Sequence, residues 1–151
     1  MCNNSEKPHA MSRAQRGALY DLMGRYAQTV IAQMMQSTAC NALHPVHERC
    51  ARWLLMTHDR VEGDELLLTH EFLAFMLCVR RAGVTVALGT LEDAGLVQQA
   101  RGRVKIVDRA GLEKVSCECY RVVRAHYERL FAGSDTFRQP EVRFLENHNR
   151  A

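Results

Sequence analysis

Residues 68–108 read LTHEFLAFMLCVRRAGVTVALGTLEDAGLVQQARGRVKIVD: an apolar helix, a short break, a second helix opening on two arginines, then a basic hairpin. Thr69 stands where its hydroxyl can accept a backbone N–H of the first helix, and Glu71 puts negative charge in the first turn, where the helix dipole favours it. Leu73, Met76 and Leu77 recur at helical steps inside a run that also holds Phe72 and Phe75. Cys78-Val79-Arg80-Arg81 serves as the turn. Val84, Leu88 and Leu91 then form the buried stripe of a second helix, which Gly95 ends in a left-handed cap. This order predicts a helix-turn-helix.

Arg80, Arg81, Thr85 and Val86 are left on the outer faces of the second helix, where the small Ala82 and Gly83 allow close approach to a phosphate backbone. Beyond Gly95 the pattern changes to alternation. Leu96–Gln99 and Val104–Val107 read as two short strands joined through Ala100–Arg103. Arg101, Arg103 and Lys105 make this hairpin cationic, as a wing that touches nucleic acid would be, although charge also protects the open edge of any hairpin. Cations at the start of one helix and again on the hairpin after it favour the nucleic-acid reading. The expected fold is mainly α with a small β-hairpin wing: an α+β winged helix-turn-helix preceded by a long amphipathic helix.

From about Ala39 to Leu130 the chain resembles the C-terminal half of Crp/Fnr-type bacterial transcription regulators. The likeness rests on CNALHPVHERCARWLLMTHDRV at 40–61, DELLLTHEFLAFMLCVRRAGVTVALGTLEDAGLV at 64–97, and the wing. It implies a sequence-specific regulator of transcription that binds a palindromic operator in double-stranded DNA as a homodimer, with RNA polymerase as a further partner and no cofactor. Arg81 occupies the position of the family's base-reading arginine, which implies a bidentate bond to guanine O6 and N7. Thr69, Arg80, Thr85, Val86 and the wing cations complete the expected DNA contacts. Ala82 and Val86 stand where the best-known family pattern has an acidic and a second basic residue, so the usual operator is not implied.

Residues 16–39 (RGALYDLMGRYAQTVIAQMMQSTA) place Leu19, Leu22, Met23, Tyr26, Val30 and Met34 at three- and four-residue steps. The segment resembles the helix that joins sensor to DNA-binding domain and pairs two subunits in such regulators. Leu19, Leu22, Tyr26, Val30 and Met34 are the expected dimer seam, interrupted by Gly24, Gln33 and Ser37; the alternative is packing of this helix on its own domain. The residues before Ala39 leave no room for the family's β-roll sensor, so a regulator without a built-in effector-sensing domain is expected. The alternative in another class is an interaction module that heterodimerises with full-length relatives and modulates them.

At 151 residues, 47% hydrophobic and 25% charged, the chain can bury one core. The expected division is a flexible segment at 1–15, the dimerisation helix at 16–41, the winged domain at 42–132 and a flexible tail at 133–151. No stretch approaches the roughly eighteen continuous apolar residues of a membrane span, and Met1–Ala10 lacks an apolar core for secretion, so a cytoplasmic location is expected. The net charge of +3 is mild. Affinity for DNA would have to come from local placement of charge and from pairing two domains.

The six cysteines include no Cys-x-x-Cys pair. Cys117 and Cys119 fall in a stretch read as one helix over 110–131, where they would point about 200° apart. Cys40, His44, His47 and Cys50 have ligand types and helical spacing that suit zinc, but Pro45 breaks the helix that would hold them, and Cys50 reads as a buried hydrophobe. No metal site is expected. The common catalytic motifs are missing, and Asp59, Glu62, Asp64 and Glu65 read as an acidic solvated loop, so no enzyme is expected.

Overall fold

A computed structural model of the protein describes residues 13–131. The expected flexible segments 1–15 and 133–151 lie almost wholly outside that range, as does Cys2. Nine elements follow in order: α1 (Arg13–Leu43), α2 (Val46–His58), β1 (Glu65–Leu67), α3 (His70–Leu77), α4 (Arg81–Asp93), β2 (Val97–Ala100), β3 (Arg103–Ile106), α5 (Arg109–Val115) and α6 (Cys119–Phe131). The long helix α1 starts three residues before and ends two residues after the expected 16–41.

Local chemistry accounts for most element ends. Pro45, at φ −65° and ψ 155°, separates α1 from α2 and needs no amide partner at that position. Thr69 caps α3 as expected: its Oγ1 accepts the Phe72 N–H at 3.2 Å. At the far end of α3, Cys78 is left-handed (φ 52°, ψ 46°), the only such non-glycine residue among those described. That conformation costs a side-chain-bearing residue about 1–2 kcal/mol. It is held by Val79 N–H to Ala74 C=O at 3.0 Å and by the buried Arg49, whose guanidinium donates to the Leu77 carbonyl. The helix α4 ends as the sequence indicates, with Gly95 at φ 71° and a Schellman pair of bonds, Leu96 N–H to Leu91 C=O and Gly95 N–H to Glu92 C=O.

Helices α3 and α4 meet at 103°, within the range of a helix-turn-helix. No single helix among the described residues is long and apolar enough to cross a membrane. Leu54 and Leu55 of α2, Leu73 and Leu77 of α3, and Val84, Leu88 and Leu91 of α4 form the centre of the core, closed by Leu112, Tyr120 and Val123. Trp53 and Phe72 cover it edge to face at 5.8 Å between ring centroids.

Two expectations are corrected. The acidic connection is an exposed loop at Glu62–Asp64 but not at its end: Glu65–Leu67 forms β1 and pairs antiparallel with β3, giving a three-stranded sheet in the order β1-β3-β2. Alternation puts Leu66 inward opposite Val104 and leaves Glu65 outward. The single helix expected over 110–131 is also broken. Ser116 is extended (ψ 146°) and its Oγ donates to the Glu113 carbonyl at 2.9 Å, so α5 stops and α6 restarts at Cys119. A continuous helix would keep Cys117 and Cys119 on nearly opposite faces. The break lets both be buried, at the cost of a few intrahelical hydrogen bonds.

Asp59, also placed in the acidic loop by sequence, anchors this closing unit. Arg109 Nη2 donates to Asp59 Oδ1 at 2.5 Å and to the Tyr120 hydroxyl at 2.8 Å, and that hydroxyl donates to Asp59 Oδ2 at 3.0 Å. Burial, reinforced by the Asp59 charge, pushes the Tyr120 phenol up to about 12 from an ordinary 10. A raised phenol favours the neutral form in the fold, so its stabilisation is complete below pH 10 and is lost as pH rises from there through about 12. The total is about 2–3 kcal/mol. Urea denaturation at pH 8 and pH 11.5 is expected to show the native chain losing more stability than Tyr120→Phe, which itself costs about 1–3 kcal/mol at pH 8. Equal losses in the two proteins would remove Tyr120 from this role.

Candidate nucleic-acid interface

The first turn of α4 carries Arg81 and, one turn on, Thr85 and Val86; all three are exposed, Val86 at 70%. An aliphatic side chain so exposed contributes nothing to the core of this chain. The opposite face, Val84, Ala87, Leu88 and Leu91, is buried. Arg80 immediately precedes α4, also exposed, and its side chain forms no ion pair among the described residues. Gly83 is half-buried in the first turn, where a Cβ would come into ordinary contact with Val79. An arginine at each side of a helix start meets an unfavourable helix dipole.

Arg81 is not free. Its Nε donates to Glu71 Oε1 at 2.9 Å, with both side chains about two-thirds exposed (68% and 64%). A pair this open contributes about 0–1 kcal/mol, so a phosphate or a guanine edge can displace the carboxylate at small cost. Thr69 also faces outward. Its oxygen accepts the Phe72 N–H, which leaves the hydroxyl hydrogen for an acceptor outside the chain.

The wing is narrower and better supported than the sequence suggested. β2 and β3 pair from Val97↔Ile106 to Ala100↔Arg103, leaving Arg101 and Gly102 as the turn, with Gly102 left-handed at φ 71°. Arg101 is exposed at the tip and unpaired among the described residues. Arg103 Nη1 donates to Glu65 Oε1 at 2.7 Å, a contact made possible by β1, and Lys105 stands exposed opposite Glu65. Of the three wing cations, Arg101 and Lys105 carry no ion pair among the described residues, while Arg103 is paired across the sheet in a contact about as open as that of Arg81.

Helix and wing are joined by side chains that sequence reading passed over. His70 places Nδ1 at 3.1 Å from Thr85 Oγ1 and Nε2 at 3.1 Å from Gln99 Oε1, bridging α4 to β2. Gln99 in turn donates its backbone N–H and its Nε2 to the two carboxylate oxygens of Glu92, at 2.7 and 2.8 Å. This chain, Thr85–His70–Gln99–Glu92, fixes the wing beside the outer face of α4. Nothing in the periodicity of the sequence marks His70, because its partners lie 15 and 29 residues away.

The expected seam on α1 divides. Leu19, Tyr26 and Met34 are exposed, as are Met23, Ile31 and Met35, whereas Leu22 and Val30 are half-buried. The helix rests on its own domain through a different and more polar face. Thr29 is buried, Gln33 Oε1 accepts from the Tyr127 hydroxyl at 2.8 Å, and Ser37 Oγ accepts from Arg52 at 3.4 Å. Gln33 and Ser37, read from the sequence as breaks in the seam, thus lie on the face of α1 that packs on its own domain. The zinc set considered from sequence is not assembled as such: Cys50 is fully buried in the main core, where burial pushes its thiol up to about 12.

Residues 48–115 match the Crp-like helix-turn-helix domain family. A transcriptional regulator of the CRP family from Thermus thermophilus is similar in structure, with TM-score 0.58 and 25% identity over 73% of this chain and 57% of its own. A Crp/Fnr-family protein from Eubacterium rectale is similar at TM-score 0.53 and 27% identity, over 69% of this chain and 46% of its own. A second Thermus thermophilus regulator, of the CRP/FNR family, shares the fold at TM-score 0.57 and 22% identity, over 72% of this chain and 57% of its own. This chain thus spans about half the length of these proteins, from 46% to 57%. No curated protein matches it in sequence.

Proposed function

We propose, from the Crp-like helix-turn-helix domain carried at residues 48–115, that this chain is a Crp/Fnr-type regulator that binds double-stranded DNA sequence-specifically as a homodimer. The observation that carries the reading is the outer face of α4, where Arg81, Thr85 and the exposed Val86 serve no purpose in the core and are held beside a cationic wing by His70.

In this reading α4 enters the major groove. Arg81 exchanges Glu71 for the O6 and N7 of a guanine, Val86 meets a thymine methyl or a sugar, and Thr85 lies against the adjoining base or backbone. Arg80 and Thr69 flank the helix and bind phosphate, fixing its register. Arg101 and Lys105 on the wing bind the neighbouring backbone, and Arg103 joins them by leaving Glu65. The exposed apolar face of α1, with Leu19, Tyr26 and Met34 at its centre and Leu22 and Val30 at its margin, pairs with the same face of a second copy. Residues 16–41 are then the dimerisation arm and 42–132 the DNA-binding domain. Every described element belongs to one or the other, and none is assigned catalysis. RNA polymerase is the further partner this reading allows.

Enrichment of a random duplex pool on the purified chain is expected to return a two-fold-symmetric sequence, and failure to enrich any sequence would end the proposal. With that duplex, Arg101→Ala is expected to weaken binding on all sequences alike and to lower the slope of log affinity against log salt by about 1, because one phosphate contact is lost. An unchanged slope would remove Arg101 from the interface.

A further inference from the structure

Away from the α4 face, the end of α1 meets the break between α5 and α6 in a small core of its own. Cys40, Cys117 and Cys119 are 0%, 4% and 1% exposed and form a cluster separate from the main one. His44, one turn after Cys40, closes it. The four ligand atoms lie within 4.8 Å of one another. Cys40 Sγ is 3.5 Å from Cys117 Sγ, and Cys119 Sγ is 3.6 Å from His44 Nδ1. Around a tetrahedral zinc ion, with Zn–S near 2.3 Å and Zn–N near 2.0 Å, sulfur–sulfur and sulfur–nitrogen edges are about 3.8 and 3.5 Å.

We propose that Cys40, His44, Cys117 and Cys119 form a structural zinc site of the Cys3His type that ties the arm helix to the α5–α6 corner.

The surroundings suit this ion. His44 Nε2 is 3.1 Å from Glu118 Oε1, so the ring donates to a carboxylate through one nitrogen and leaves Nδ1 to the metal, the arrangement that orients a histidine ligand. Gln36 Nε2 donates to Cys119 Sγ at 3.0 Å, a bond better suited to a thiolate than to a thiol. Charge also balances. Zinc and three thiolates carry a net −1, and the buried guanidinium of Arg52 acts on Cys40, with only Ser37 Oγ and Met56 Sδ as hydrogen-bond partners and its Nε unpartnered. Among the described residues no carboxylate pairs with Arg52, so the zinc–thiolate centre supplies its missing counter-charge. Binding releases the three thiol protons to solvent and changes no oxidation state. Four coordination positions are filled by protein, which makes the site closed and structural.

The test uses the full chain, purified under reducing conditions and loaded with Zn²⁺, or with Co²⁺ in its place. One zinc per chain by elemental analysis is expected. The cobalt form is expected to show the ligand-field bands of a tetrahedral ion together with thiolate-to-cobalt charge transfer. Cys117→Ser and Cys119→Ser should weaken zinc binding by about 100-fold or more, and Glu118→Gln by about 10–100-fold. His44→Cys should retain the metal and the fold, and Cys78→Ser, remote from the cluster, should bind as the native chain does. A folded native chain that takes up no zinc would overturn the proposal, as would full zinc retention by folded Cys117→Ser. A Cys40–Cys117 disulfide persisting under reducing conditions, or an iron–sulfur chromophore in place of zinc, would also overturn it. None of these readouts involves DNA, so they succeed or fail independently of the regulatory reading.

Discussion

Tyr26→Glu combined with Met34→Glu is expected to give a folded monomer that binds its operator about 100- to 10,000-fold more weakly than the native chain. Both side chains are more than half exposed in the single chain (53% and 64%), so the substitutions leave the packing of α1 on its own domain intact. What they place in a two-fold seam is a row of like charges on facing apolar surfaces. Each half-site is then bound separately, and the avidity of two linked domains disappears. The native dimer should protect two half-sites about 34 Å apart on one face of the duplex, one helical turn. Sedimentation and footprinting on the same samples check both halves. A native chain that is monomeric at micromolar concentration and still protects a full palindrome, with an affinity the double variant matches, would exclude the seam. Pairing of the native chain only with a longer relative would favour the interaction-module alternative over the homodimer.

The second large effect is at Arg81. Alanine there should cost about 1–3 kcal/mol on the selected operator, roughly 5- to 150-fold, and relax preference at a single base pair. The Glu71 contact gives the prediction an internal control. Because that pair is exposed on both sides, Glu71→Gln should not unfold α3, whose cap rests on Thr69, and should bind DNA slightly tighter by releasing Arg81. Loss of equal size on operator and random DNA in Arg81→Ala would reassign Arg81 to phosphate contact. Lys in place of Arg81 should recover the charge but not the bidentate bond, and so restore affinity more than discrimination.

Much of the helix-turn-helix was legible because its signals are local. The Thr69 cap needs only the amide three residues on, the stripe Val84, Leu88, Leu91 repeats within one helix, and Gly95 ends α4 through the carbonyls of Glu92 and Leu91 in the helix's own last turn. The wing strands were legible from alternation and from a turn holding the one glycine that could be left-handed there. The positions of Arg80, Arg81 and the wing cations followed from the same periodicity, since a side chain not on the buried stripe has only solvent or a partner to face.

Sequence alone, then, determined the helix-turn-helix, the wing strands and the faces those elements bury, because helical and strand periods are properties of neighbouring residues; it did not show β1, the break between α5 and α6, or which face of α1 turns inward. Tertiary structure decided what those faces meet. Glu65 reaches Arg103 across 38 residues through a strand too short to announce itself, making the end of an acidic loop the third strand of a sheet and giving one exposed wing cation an ion-pair partner. Gln33 and Ser37, polar residues that looked like flaws in an apolar seam, face inward because Tyr127 and Arg52, 94 and 15 residues away, offer them hydrogen bonds. Cys40 and Cys117 meet across 77 residues only because the backbone breaks at Ser116, where burying two thiols against α1 outweighs the hydrogen bonds of an unbroken helix. No spacing rule within a single helix can find a site whose ligands are brought together by the ending of one helix and the start of another.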